Sequence, residues 1–411
     1  MKRIFSRLFI LTLFLATVVP SSVQAASHRS RNSTLRVIEK HIKDNQPDEA
    51  LKKITEAENQ ADSLGIKLHE LYWLGIRASE LTNKAENEKV YLKQAFDTTK
   101  FFNSIKLIFD YGNKCKQALY NVNDGREQSK WQSRIARKLT KYYYNLGIAA
   151  KHFYRKRQYA DALPYIDYYL NAAHNGLVTQ TPPQWEAEKP YYAFLGMQCS
   201  YLAKKYDSVF QYQPTAARDT MHADIINEIL ARASRASNDS ARYIQYLLNG
   251  MLRFPENRYY YNNIVRILLI QKRATYLVTL SDSLLRIRPQ HRDYWYGKSL
   301  ALIELKHYNE AINCAGQVIE IDTSAVEPLF HIGFSYCQMA DSVRQTKDLS
   351  TVAERTERIN AYYSKAMPYL EQYKQRRPQA VQKWGPLLYR IYLNLNMGQQ
   401  FEELNKIMGT Q

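Results

Sequence analysis

The sequence predicts an all-α fold of stacked antiparallel helix hairpins, and three observations predict it. Pro255, Pro289 and Thr323 fall 34 residues apart, each closing an apolar run of helical period and each followed by an aromatic-rich one. The 411 residues include only 14 Gly and 13 Pro, so few positions interrupt a helix. Charged residues are spread along the chain instead of gathered in blocks. A fixed period of this length signals repeated supersecondary units, none of which can bury its apolar face without a neighbour.

The first residues are set aside from the fold. Lys2, Arg3 and Arg7 make a basic start, Leu8 to Val19 is almost unbroken apolar sequence, and Val23-Gln24-Ala25 offers small residues at the spacing of a signal-peptidase site. Residues 1–25 therefore read as a cleaved secretory signal, followed by a short linker over 26–33. About 12 apolar residues fall short of the ~20 needed to span a bilayer. No Cys follows the cleavage site, which argues against a lipid-anchored lipoprotein. The chain is expected to be exported, periplasmic or extracellular, and soluble after cleavage near Ala25, without stable membrane insertion.

The second half shows the hairpins most plainly. Tyr261, Ile264, Val265 and Leu268 recur at helical spacing, as do Leu277, Leu280, Leu284, Leu285 and Ile287 before Pro289. The next unit repeats the pattern with Trp295 and Leu302, then Tyr308 at the turn, then Ala311, Ala315, Val318 and Ile319. A third carries Leu329, Ile332, Gly333 and Tyr336. Ala311 and Gly333 sit where two helices cross most closely, and a larger side chain would push the axes beyond the usual ~8–10 Å.

The segment Lys306-His307-Tyr308-Asn309-Glu310-Ala311 closely resembles the turn between the two helices of a tetratricopeptide repeat, and Gly333 matches that family's small first-helix residue. The chain resembles an exported bacterial tetratricopeptide-repeat protein. The resemblance implies a right-handed α-α superhelix of antiparallel hairpins. It also implies a non-catalytic scaffold that holds a protein or peptide on its concave face.

Upstream the pattern is looser. Asn45 to Ala50 followed by Ile54, the phrase Arg157 to Ala162, and Lys205-Tyr206-Asp207 resemble hairpin turns, while Asp97 to Lys130 and Asp207 to Met221 do not phase. Residues 34–240 are thus expected to form divergent hairpins. Residues 241–411 are expected to form a regular array, with a polar insertion at 341–358 before a second helix that resumes at Ala366, and a C-terminal capping pair.

The 33 Tyr include the triplets Tyr142-Tyr143-Tyr144 and Tyr259-Tyr260-Tyr261. Neighbouring helical positions diverge by about 100°, so each triplet must leave part of itself outside the core. Projecting the family's concave-face positions onto this chain gives Tyr259, Asn262 and Arg266, then Asp293 and Tyr296, then Glu327, Phe330, Phe334 and Gln338. In the clear upstream unit it gives Tyr144, Lys151, Tyr154 and Arg155. Asn262 and Arg266 are a fragment of the family's carboxylate clamp. Its other Lys and Asn are missing, so that specific activity is not expected.

Formal charge is +18, and three of those charges leave with the signal. That balance favours an acidic protein or peptide or an anionic glycan. Nucleic acid is not expected for an exported chain. A glycan-binding or cell-wall-associated helical arm working with a separate enzyme is the alternative reading. Cys115, Cys199, Cys314 and Cys337 form neither a metal-ligand spacing nor a small-domain disulfide framework, and they read as buried hydrophobes. Cys314 and Cys337 lie on consecutive expected helices, close enough to approach one another. The nine His are dispersed, and the sequence contains no HExxH, GxSxG or phosphate-binding Gly-rich loop. No enzyme activity, cofactor or metal is expected.

Overall fold

The computed structural model describes residues 33–346 and 351–409, so the signal reading at 1–25 lies outside the described residues. Every regular element among those residues is helical. The chain forms two compact units that meet between Ile226 and Asn227.

The first unit opens with α1 (33–43) and α2 (Pro47–Glu58), then a single turn, α3 (Ala61–Leu64). A long hairpin follows, α4 (Leu68–Tyr91) with α5 (Thr98–Ala118), then α6 (Gly125–Thr140). Two shorter hairpins complete the unit: α7 (Tyr143–Arg155) with α8 (Tyr159–Asn171), and α9 (Trp185–Leu202) with α10 (Tyr206–Ala216). The boundary between the units falls within α11 (Ala223–Ala236).

In the second unit α11 pairs with α12 (Ser240–Arg253), α13 (Arg258–Ile270) with α14 (Ala274–Ile287), and α15 (Arg292–Glu304) with α16 (Tyr308–Ile321). The helices α17 (Glu327–Gln345) and α18 (Val352–Arg376) pair next, then α19 (Val381–Asn394) and α20 (Gly398–Gly409). The starts of α12, α14 and α16 are spaced by the 34 residues read from sequence, as are those of α13 and α15. Among the described residues the fold is all-α and consists mostly of consecutive tetratricopeptide-like hairpins.

The turn inside a hairpin has a recurring cause. Asn238, Lys272 and Lys306 adopt left-handed backbone, with φ of 59, 55 and 61°. At Lys272 the reversal lets Lys272 N–H reach the Leu269 carbonyl at 3.0 Å and Arg273 N–H reach that of Leu268 at 2.8 Å. Those bonds satisfy carbonyls left open at the end of α13. The same pair of bonds recurs at Lys306 and His307, at Arg157 and Gln158, and at Asn396 and Met397. Each capping pair offsets the ~1–2 kcal/mol that a non-glycine residue loses in this conformation.

Small residues set how closely helices approach. A Cβ added at Gly75 of α4 would lie 2.6 Å from the Tyr111 ring, and one at Gly333 of α17 2.5 Å from Leu370. Ala311 is fully buried at its crossing, as expected.

The insertion extends the hairpin: α17 runs on to Gln345 and α18 begins at Val352, so the extra residues lengthen both helices. The second helix thus starts 14 residues before Ala366, held by a capping box between Thr351 and Glu354. The stretch 97–130 holds α5 and the start of α6, and it does not phase because α4 and α5, at 24 and 21 residues, exceed the repeat length. All four Cys are free and buried, Cys314 and Cys337 included.

Candidate functional site

In the second unit the expected concave-face positions fall on α13, α15 and α17. Asn262 and Arg266 are exposed on α13, and Tyr259 is half-buried with the Arg232 guanidinium 4.3 Å from its ring centre. On α15, Tyr296 is half-buried and stacks on His331 at 5.0 Å. On α17, Phe330, Phe334 and Gln338 are half-buried, with the two Phe rings stacked at 5.8 Å.

Charges fasten the edges of this strip. Glu327 accepts from Lys383 Nζ at 3.0 Å and from the Tyr373 hydroxyl at 3.1 Å, tying α17 to α19 and α18. The same ammonium lies 5.5 Å from the centre of the Phe330 ring. Burial works against the charged form of Lys383, but the hydrogen bond and charge of Glu327 prevail and raise its pKa.

Asp293 needs a correction. The groove reading places it on an open surface, yet it is only 4% exposed, clasped by Arg258 at 2.8 Å and Arg292 at 2.8 Å. Arg292 also bonds Asp322. The Ser324 hydroxyl and then Arg292 hold the Asp322 carboxyl at about 2. Arg292 itself is raised, because its bonds to Asp293 and Asp322 outweigh its burial. Arg258 and Arg292 hold the same position in successive repeats: Arg258 reaches forward to Asp293 of the next hairpin, while Arg292 pairs with its neighbour Asp293 and with Asp322 at the end of its own hairpin. A cleft of about 290 Å³ opens over this network, lined by Arg258, Arg292, Tyr296, Asp322, Glu327 and Arg377 among others. Arg258, Arg292, Asp293, Asp322 and Glu327 are all held in ion pairs, which leaves the half-buried rings and the exposed Arg377 to meet a partner.

His331 was not read as a site residue. It is 5% exposed, shares a 3.1 Å contact with the Ser299 hydroxyl, and is pushed down to about 4 by burial. Lys383 and Tyr373 were also missed, because they come from α19 and α18, outside the regular register. The Arg258/Arg292 repetition was the one available signal for the ion chain.

In the first unit the four expected residues divide. Tyr144 is 56% exposed and Arg155 is exposed. Lys151 lies over the rings of Tyr191 and Tyr192 at 5.4 and 5.0 Å, and the Tyr154 hydroxyl donates to Gln198 at 3.0 Å. Among the described residues no group of three or more His, Cys, Asp and Glu is placed to hold a metal ion. None of the described helices is long and apolar enough to cross a membrane.

No protein-family model and no curated protein matches the chain. Solved structures do. The C-terminal part of a TPR repeat-containing protein from Cytophaga hutchinsonii is 13% identical, with a TM-score of 0.43, over 62% of this chain and 92% of that one. Yeast Tom70 is 10% identical, with a TM-score of 0.33, over 92% and 99%. The TPR domain of P58(IPK) is 12% identical, with a TM-score of 0.29, over 90% and 99%. Similarity at this level carries no functional conclusion, so the chain's own residues must supply it.

Proposed function

We propose that this chain is a non-catalytic scaffold that binds a protein or peptide along the first-helix face of its second unit. The observation that carries this reading is the row of half-buried rings, Tyr296, Phe330 and Phe334, which consecutive first helices leave open. Aromatic rings bring large contact area at low entropic cost, and interfaces concentrate their binding energy on such anchors. The exposed Asn262 and Arg266 supply polar contacts alongside. The Glu327–Lys383 pair fixes the strip without presenting a bare charge to the bound segment.

Capture of partners from whole extract on the immobilised chain, with crosslinking, tests the reading. A defined protein captured by the natural chain should be lost with Phe330→Ala/Phe334→Ala and kept with a Ser283→Ala control on α14, where the side chain is exposed. Equal capture by both variants would remove the strip from the account. The basic balance of the chain supports an acidic partner, so capture should weaken as salt rises. Export is part of the proposal and rests on residues 1–25. Sequencing the N-terminus of the protein from its source should find Ala26 first, and a chain still carrying residues 1–25 would end that part.

A further inference from the structure

We infer that the first unit docks peripherally on an anionic lipid surface, through the basic face of α6 and the apolar tip of the α4–α5 hairpin.

The helix α6 lies outside the regular pairing, and its cations are not scattered. Arg126, Lys130, Arg134 and Arg137 are exposed, as is Lys141 just after the last turn. At ~100° per residue these positions fall within an arc of about 80°, and at 1.5 Å per residue the stripe is about 22 Å long. Between residues 126 and 141 the sequence holds six cations and one carboxylate, Glu127. Glu127 faces Lys67 at 3.5 Å, and the adjoining Glu80 is taken by Lys138 at 2.9 Å. Arg134 lies over the Trp73 ring at 4.1 Å, so its guanidinium is positioned without a carboxylate. The opposite face of α6 is spent on the interior, with Ile135, Ala136 and Leu139 buried. What α6 offers outward is charge, with the exposed Ser129 and Ser133 beside it.

The second observation is on α4. Trp131 meets His69 at 5.2 Å and Lys138 meets Glu80, so α6 runs parallel to α4 and in the same direction. Beyond that overlap α4 continues to Tyr91. Neighbouring hairpins stop short of it: Lys100 pairs with Asp48 at 3.4 Å, Phe102 meets His152 at 4.9 Å, and Asn103 accepts from Tyr165 at 3.2 Å. On α4 that level is Asn83, which donates to the Phe101 carbonyl. The hairpin therefore overhangs by eight residues of α4, about 12 Å. Its end carries Tyr91, Leu92 and Phe96 at 86, 53 and 38% exposure, next to the exposed Lys93.

A soluble polyanion would engage the stripe and have no use for a projecting apolar tip. A protein cleft would engage the tip and have no need of a straight row of five cations. An anionic bilayer uses both: its headgroups match the row, and its interface accepts Tyr, Leu and Phe flanked by lysine. Two weak signals of different kind are what stable peripheral attachment requires.

Sedimentation with vesicles tests this, using phosphatidylglycerol mixed with phosphatidylcholine and, separately, phosphatidylcholine alone. The full chain and the chain from Ala26 are compared, so that the apolar run at Leu8 to Val19 is not the source of binding. The chain should bind the anionic vesicles and leave the neutral ones. Lys130→Glu/Arg137→Glu/Lys141→Glu should lower the partition coefficient by about a hundredfold, and the milder Lys130→Gln/Lys141→Gln by less. Leu92→Ser/Phe96→Ser should weaken binding and make the remainder fully salt-reversible. All altered side chains are exposed, and circular dichroism and melting curves establish that each variant folds. Equal binding to both vesicles, or charge variants that bind unchanged, would overturn the inference. So would single-stranded RNA or polyglutamate captured more tightly than vesicles, with loss in the stripe variants and none in the tip variant.

Discussion

The hydroxyl of Tyr142 donates to the carboxylate of Glu80 at 2.9 Å, bridging the start of α7 to the middle of α4. Glu80 is 7% exposed and receives Lys138 on its other oxygen. Burial first, and then the Glu80 charge, raise the Tyr142 phenol. The arrangement recurs: Tyr72 reaches Glu58 at 2.9 Å, Tyr168 reaches Asp110 at 2.8 Å, Tyr169 reaches Glu188 at 2.7 Å and Tyr392 reaches Glu371 at 3.2 Å. Rings fill the space between helices while hydroxyls tie off acids at the edge, which explains the abundance of tyrosine. Tyr142→Phe should cost about 1–3 kcal/mol, since it removes a donor from a buried charge. Glu80→Gln in the same chain should recover part of that. Urea unfolding of the single and double variants measures the coupling, and strictly additive losses would contradict it.

Close approach of helices makes the second prediction. A Cβ at Gly196 would fall 2.8 Å from the Tyr212 ring, whereas one at Gly316 of α16 meets nothing within 4 Å. Gly196→Ala should therefore destabilise by about 1–3 kcal/mol. Gly316→Ala should stabilise by up to ~1 kcal/mol, because it removes backbone freedom from the unfolded chain. Melting temperatures that shift in the same direction for both would count against the packing described.

Asp293 is buried between arginines that are more open than it is. Losing one arginine leaves the other in place. Arg258→Ala/Arg292→Ala leaves a buried carboxylate uncompensated and should cost about 3–5 kcal/mol. Adding Asp293→Asn to that double variant should restore much of the loss, and a failure to restore it would mean that the ion chain is not what joins these repeats.

His331 gives a pH dependence of definite sign. Burial depresses its folded-state pKa to about 4, below the ordinary value of 6.5. Below pH 6.5 the unfolded chain takes up a proton that the folded chain refuses. The stability that His331 contributes is thus present above pH 6.5 and is lost as pH falls towards 4, by about 3 kcal/mol. His331→Gln should flatten this part of the curve relative to the natural chain. Unfolding free energies measured at pH 7 and 4.5 for both chains decide it, and parallel curves would refute the assignment.

The regular array was legible because Pro255, Pro289 and Thr323 mark a strict register, and α12 to α16 follow it. The tyrosine triplets were half-legible: Tyr144 is exposed as required, yet Tyr260 and Tyr261 are both buried because both sides of α13 are covered by neighbours. Asp293 misled, since register says which face a residue occupies and nothing about an arginine from the preceding repeat closing over it. The long α4–α5 hairpin and α6 escaped because they do not keep the period, and a search for period cannot phase them. Reading α6 by charge at helical spacing would have found its basic face.

The account rests on the Tyr296–Phe330–Phe334 strip as the place where a partner lies. Photo-crosslinking from a benzoyl-phenylalanine set at 334 on α17, compared with one at the exposed position 283 on α14, tests that most directly. Crosslinking in whole extract should give a single defined adduct from 334 and none from 283. Adducts from 283 with a silent 334 would contradict the account.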